Sequence, residues 1–192
     1  MAVIIRSTGT HIPERRMPNS ELATLVDTTE EWIDSHTGIG ARHLAADGVL
    51  TSDMAVDAAK KALAKAGVEP RELDLIVVAT ATPDYFGFPA TACIVQDKLG
   101  AYGSAAFDLG AGCTGFIYAL DVASSMLEAR KARHALVIGA EALSRIVDWQ
   151  DRSTCVLVGD GAGAAVISRI DGAGLGRVAS ILGAEGSGAK EL

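Results

Sequence analysis

Two short runs in this chain, LIVVAT at 75–80 and HALVIG at 134–139, leave almost no polar side on which a strand could meet water. Strands apolar on both faces belong inside a sheet that helices cover on both sides. Around these runs the spacing turns helical. The clearest helix is 52–66, with Met54, Ala55, Ala58, Ala59, Ala62, Leu63 and Ala66 on one face, Thr51 or Ser52 as its cap and Gly67 as its stop. The same reading predicts helices over 19–26 (capped by Asn19 or Ser20), 29–37, 90–99 and 114–129, and strands over 3–7 and 105–109. A further strand–turn–strand is predicted with 156–158 and 164–168 on either side of a glycine turn. Strands alternating with helices define an α/β fold. Residues 1–170 read as one unit, and the glycine-rich stretch 171–192 as irregular chain with some strand.

The chemistry concentrates at 105–120, AAFDLGAGCTGFIYAL. An apolar strand stops at Gly110, and Cys113 follows between Gly112 and Gly115. Phe116, Ile117, Leu120, Met126 and Leu127 then fall at helical spacing. A thiol is thus expected on a tight strand-to-helix turn, at the positive end of a helix, where thiolate is favoured over thiol. The glycines let a substrate carbonyl approach the backbone. Cys113 is on these grounds a candidate nucleophile; the competing reading is a small buried hydrophobe, the commoner state of free cysteine. Cys93, in the helix pattern 90–99, and Cys155, in the strand-like run TCVLV, are expected as packing residues.

The segment DLGAGCTGFIYAL resembles the active-site segment of the β-ketoacyl-[acyl-carrier-protein] synthase III family, the initiating condensing enzymes of bacterial fatty acid synthesis. Three other segments resemble the family in the same order: TTEEWIDSHTGIGARH at 28–43, ATPDYFGFPATACIVQDKLG at 81–100 and DWQDRSTCVLVGDGAGAAVI at 148–167. The resemblance implies the N-terminal half of a thiolase-like fold, a mixed sheet with helices on both faces, which in the whole family is duplicated into five αβαβα layers. It implies that Cys113 becomes acylated, that Trp32 and Arg152 flank the adenine of coenzyme A, that Thr28 lies near the nucleotide, and that Phe88 reaches across a dimer interface towards the partner's acyl pocket. The implied reaction is a decarboxylative Claisen condensation of an acyl-coenzyme A primer with malonyl-acyl-carrier protein. Acyl-coenzyme A is then a substrate, with no cofactor, in a cytoplasmic homodimer.

The sequence departs from the family's pattern at His36 and Gly40, which stand where members often carry arginines associated with coenzyme A phosphates or the carrier protein. Fewer cations weaken contact with a polyanion. A specialised relative, using another starter unit or forming esters or amides, therefore stays open. The resemblance also assigns a catalytic histidine and asparagine to a second half. None of His11, His36, His43 and His134 lies in a matching motif, so a complementary half in this or another chain is expected, and a non-catalytic half that folds against a partner is the rival reading. The high apolar share of 49% fits faces that something else covers.

Other classes recede. A net charge of −7 argues against nucleic acid or an anionic membrane as partner. There is no apolar span long enough for a transmembrane helix, and the N-terminus reads as a strand and loop rather than a signal peptide. Three cysteines without metal-ligand spacing suit a reducing compartment and no metal site. The run Gly159 to Ala164 mimics a dinucleotide fingerprint, but a β-branched, strand-like AAVIS follows where that fingerprint needs a helix. Bland readings stand beside the implied ones: Trp32 as a core aromatic, Arg152 as a surface partner of Asp151 or Asp160, and Trp149 as packing.

Overall fold

The computed structural model describes residues 2–171, 176 and 179–190. In chain order the elements are β1 (Ala2–His11), β2 (Arg15–Pro18), α1 (Asn19–Leu22), α2 (Glu30–Thr37), β3 (Ala41–Leu44), α3 (Thr51–Ala66), β4 (Leu75–Ala79), α4 (Thr91–Leu99), β5 (Ala105–Leu109), α5 (Gly115–Arg130), β6 (His134–Ala142), α6 (Arg152–Cys155) and β7 (Asp160–Ile170). Five strands form one mixed sheet in the order β1-β7-β6-β4-β5, and β2 with β3 forms a separate antiparallel hairpin. β4 runs parallel to both β5 and β6, while β7 runs antiparallel to β6 and β1.

The apolar run at 75–80 explains the layering. In β4, Ile76 and Val78 join a core with α3 residues Ala55, Ala59 and Leu63 and with Val95 of α4. Leu75, Val77 and Ala79 point to the other face, against Ala119, Ala123 and Leu127 of α5. Alternate side chains of one strand thus enter two cores, as a period of two requires. A third cluster (Met17, Leu22, Ile33, Leu44, Cys155 and Val156) joins the hairpin to α1, α2 and α6.

β1 lies against α3 closely enough that side chains are excluded. A Cβ on Gly9 would stand 2.2 Å from the Ala58 carbonyl oxygen. Ser7 Oγ donates to the Ala62 carbonyl at 2.6 Å, and Lys61 Nζ to that of Thr10 at 2.7 Å.

Several local expectations are corrected. The segment 156–158 is not a strand: α6 stands just before it, started by Asp151, whose carboxylate accepts from the Ser153 N–H at 2.9 Å. Gly161 and Gly163 do not form a turn but lie within β7, opposite Glu141 and Gly139 of β6. Both pair with β6, and Gly163 also with Thr10 of β1, and this pairing outweighs the low strand preference of glycine. α1 is four residues rather than eight, and Asn19 does not cap it. Asn19 is buried, donating from Nδ2 to the Ile39 carbonyl and accepting from Arg42 Nη2. Thr51 and Ser52 are likewise inside α3. Asp53 accepts the Leu50 N–H instead, and Thr51 Oγ1 is drawn to the Thr82 carbonyl. Of the tail glycines, 172 and 174 lie outside the described residues; among the described residues beyond 171 there is a 3-10 stretch, Gly186–Lys190, and no strand.

Candidate active site

Cys113 stands where the sequence places it. β5 ends at Leu109, the chain passes through Gly112 at φ +53°, and a 3-10 turn over Gly112–Thr114 leads into α5. A left-handed residue is required at 112, which glycine adopts without a Cβ penalty. Gly115 opens the helix where a Cβ would come 3.2 Å from that of Ala79, so the turn is pressed onto β4. Thr114 Oγ1 donates back to the Ala111 carbonyl at 2.9 Å and closes the turn. Cys113 is exposed, and the first turn of α5 holds no acidic side chain to oppose an anion.

The other cysteines divide differently from expectation. Cys155 is buried within α6, in line with packing. Burial first, then the charge of Asp151, pushes its thiol pKa up against the opposing pull of Arg42. Cys93 is exposed, because α4 turns its Ala92 and Val95 side to the core; Cys93 Sγ makes only a long contact, 3.7 Å, to the Ala106 carbonyl.

Trp32 and Arg152 meet directly. The guanidinium carbon of Arg152 sits 4.1 Å from the centre of a Trp32 ring. Thr29 starts α2 by accepting the Trp32 N–H at 3.1 Å, and Asp151 starts α6, so each partner is on the first turn of a capped helix. The surface-pair reading of Arg152 fails. Asp160 is spent on the N–H groups of Ala45 and Ser144 and on Ser144 Oγ, and Asp151 on α6 itself. Beneath them Arg42 is buried. Its Nη2 donates to Asn19 Oδ1 at 2.9 Å and the Val156 carbonyl at 3.3 Å, and its Nη1 to Met17 at 3.4 Å. It ties the C-terminal end of α6 to the hairpin, and burial lowers its pKa from the usual arginine value, partly offset by Cys155. Trp149 packs against the same cluster and donates from Nε1 to the Ser144 carbonyl at 3.0 Å.

Thr28 lies just before α2, with Oγ1 buried and lacking a hydrogen-bond partner in the structure. Phe88 is on the loop between β4 and α4, 87% exposed beside Phe86. The base of that loop is pinned: Glu141 accepts from the Ala81 N–H at 2.8 Å and from Thr82 Oγ1 at 2.6 Å. The aromatic tip projects into solvent. Among the described residues, no hydrogen bond, ion pair or ring contact joins Cys113 to Trp32, Arg152, Thr28 or Phe88. The four histidines are engaged elsewhere: His11 with Asp57, His36 with Trp32, His43 with the Pro13 carbonyl and His134 with Ser168.

Two contacts escaped sequence reasoning, the pinning of the loop by Glu141 and the stacking of His36 on Trp32. The second had a signal, the i, i+4 spacing of the two rings. Among the described residues no group of three or more His, Cys, Asp or Glu could hold a metal, and no helix is long and apolar enough to cross a membrane.

Cys113 lies on a glycine turn between the edge strand β5 and α5, and a mixed sheet with helices on both faces is the thiolase-like fold of the solved structures this chain matches. The structure superposes on β-ketoacyl-[acyl-carrier-protein] synthase III from Thermus thermophilus with a TM-score of 0.92 and 45% identity, covering 98% of this chain and 58% of that one. It also matches the priming β-ketosynthase of the R1128 polyketide pathway, with a TM-score of 0.85 and 39% identity over 88% of this chain and 51% of that chain. In sequence it is 51% identical to β-ketoacyl-[acyl-carrier-protein] synthase III of Caldanaerobacter subterraneus subsp. tengcongensis, over 100% of this chain and 57% of that protein. The family profile of 3-oxoacyl-[acyl-carrier-protein] synthase III matches residues 107–186. The chain is thus similar over its length to β-ketoacyl-[acyl-carrier-protein] synthase III proteins, and it spans somewhat over half the length of the curated relatives it matches.

Proposed function

We propose that this chain carries the acyl-accepting centre of an initiating condensing enzyme of fatty acid synthesis. The carrying observation is Cys113, exposed on its Gly112 turn at the start of α5. Cys113 thiolate attacks the thioester carbonyl of an acyl-coenzyme A. The new carbon–sulfur bond forms as the bond to coenzyme A breaks, and coenzyme A leaves as its thiolate. Backbone N–H groups of the turn hold the developing oxyanion. Malonyl-acyl-carrier protein then loses carbon dioxide, and the enolate carbon attacks the acyl group, forming the carbon–carbon bond and releasing the Cys113 thiolate. Since all four histidines present are engaged elsewhere, the general acid and enolate-stabilising groups of this second step come from outside the described residues.

Trp32 and Arg152 hold the adenine of the donor, with Thr28 beside the nucleotide. At 4.1 Å the two side chains are in contact, so a base entering between them displaces the guanidinium by about its own thickness, ~3.5 Å. Phe88, on its exposed aromatic loop, is the contact with a second protomer, and the working form is a cytoplasmic homodimer. His36 and Gly40 favour a second reading, a relative with a different starter unit or an ester- or amide-forming one; the match to a polyketide priming synthase is in keeping with it.

Intact-mass measurement before and after incubation with acetyl-coenzyme A tests the centre. One added acetyl group, absent in Cys113→Ser, is expected. An adduct that survives this substitution means that the nucleophile is another residue. No adduct on the wild-type chain means a half that serves only as a scaffold for a partner.

A further inference from the structure

Trp32 has a second aromatic neighbour, one helical turn on. His36 stacks on it with ring centroids 4.4 Å apart and planes 19° from parallel. Spacing of four on a helix brings the two side chains together, but it does not fix the plane of an exposed imidazole. Two hydrogen bonds do. Nδ1 lies 2.8 Å from the Trp32 carbonyl oxygen and 3.1 Å from Ser35 Oγ. A carbonyl only accepts, so Nδ1 carries the hydrogen there and Ser35 lies within reach of the same nitrogen. Ser35 Oγ is also 3.2 Å from the Trp32 carbonyl, so backbone, hydroxyl and imidazole form one closed local set. His36 itself contributes nothing to the core: it is exposed and belongs to no apolar cluster.

The consequence concerns the indole. A half-buried tryptophan on a helix surface must give up side-chain freedom when a ligand stacks on it, and that loss comes out of affinity. Here the freedom is already reduced by the imidazole beside the ring and by Arg152 over it. We propose that His36 is a positioning residue for donor recognition: it locks the Trp32 indole as a ready platform for a planar heteroaromatic base, so this corner of the site selects its ligand by stacking rather than by charge. This rests on the assignment of Trp32 and Arg152 to the donor nucleotide.

Isothermal titration of the 192-residue chain with coenzyme A, at low and high salt, tests the idea on wild type, Trp32→Ala, His36→Ala and His36→Phe. His36→Ala should bind about three- to tenfold more weakly, the range that one aromatic pair supplies. Its salt dependence and melting temperature should match wild type. His36→Phe keeps a flat ring and should stay within about twofold of wild type. Three results overturn the inference while leaving the nucleotide site intact: wild-type affinity in His36→Ala, a loss in His36→Phe equal to that in His36→Ala, or a flattened salt dependence in both His36 variants, which makes the imidazole a phosphate ligand. Wild-type affinity in Trp32→Ala, or no binding by wild type, overturns the nucleotide assignment itself and the inference with it.

Discussion

The carboxylate of Asp108 accepts the N–H of Thr91 at 2.7 Å, joining the last turns of β5 to the first residue of α4. Its other oxygen accepts the Ala92 N–H, also at 2.7 Å. Ala90, at the N-cap position, has no side chain to satisfy these donors, so a strand residue does it from across the fold. The same carboxylate lies five positions before Cys113 and holds the start of α4, the helix that follows the Phe88 loop, and so couples the two candidate-site loops. Asp108→Ala should cost about 1–2 kcal/mol, the usual value of a lost cap, read by urea unfolding, and should slow Cys113 acylation. Acylation at the wild-type rate would show the loops to be independent.

The contact of β1 with α3 gives a sharper contrast. Gly9→Ala forces a Cβ to 2.2 Å from a carbonyl oxygen and 2.6 Å from the Ala62 nitrogen, both backbone atoms. One of the two elements must move, at about 1–3 kcal/mol or more. Gly163→Ala, in β7, meets nothing within 4 Å, and is expected to change stability by no more than about 0.5 kcal/mol. Denaturation midpoints of the two variants measured side by side decide this.

His134 sets a pH dependence. Burial first, then the neighbouring Arg133 charge, lowers its pKa from 6.5, while its Nδ1 sits 2.7 Å from Ser168 Oγ. Above 6.5 both folded and unfolded chains hold it neutral, and its contribution is complete. Below 6.5 the unfolded chain takes up a proton first, so stability falls with falling pH until the folded-state pKa is passed. Asp53 behaves as a carboxylate counterpart further into acid. Burial works against its charge, but hydrogen bonds from Lys98 and the Leu50 N–H, with the Lys98 and Arg145 charges, outweigh it, and its stabilisation fades below 3.8. Unfolding followed from pH 7.5 to 5 should show a loss that His134→Gln removes; a gain over that range contradicts the assignment.

Thiol labelling follows from exposure. Iodoacetamide should modify Cys113 and Cys93 in the native protein and spare Cys155, whose thiol is buried with a raised pKa. Under denaturing conditions all three should react. Peptide mapping of the label locates the sites, and native labelling of Cys155 would mean that α6 opens readily.

The inner strands and the nucleophile turn were legible because their signals are local. Seventy-five to 79 is apolar at every position, and 110–115 interleaves glycines with a thiol. The strand at 164–168 was legible, but the start of β7 was missed because its partners lie far away: Gly161 and Gly163 look like a turn until β6 pairs with both and β1 with Gly163. Asn19 has the chemistry of a cap, yet Arg42 and Ile39, twenty or more positions on, claim its side chain. For the site, each residue type was readable but not its company. Only the family resemblance set Arg152 beside Trp32, 120 positions earlier, on one base; no local pattern announces that the two side chains touch each other.

Among the described residues β1 pairs only with β7, Ala2 against Ile170 and His11 against Ala162. β1 is therefore made well before the strand that completes its ladder. Until residues 162–170 have left the ribosome, β1 has α3 to lean on but no ladder to join, and loop closure over that distance is slow. The parallel trio β6, β4 and β5 can assemble while it waits. Any slowing of synthesis or folding past residue 142 thus prolongs the life of an open strand at the N-terminus, the state from which misassembly and proteolysis begin.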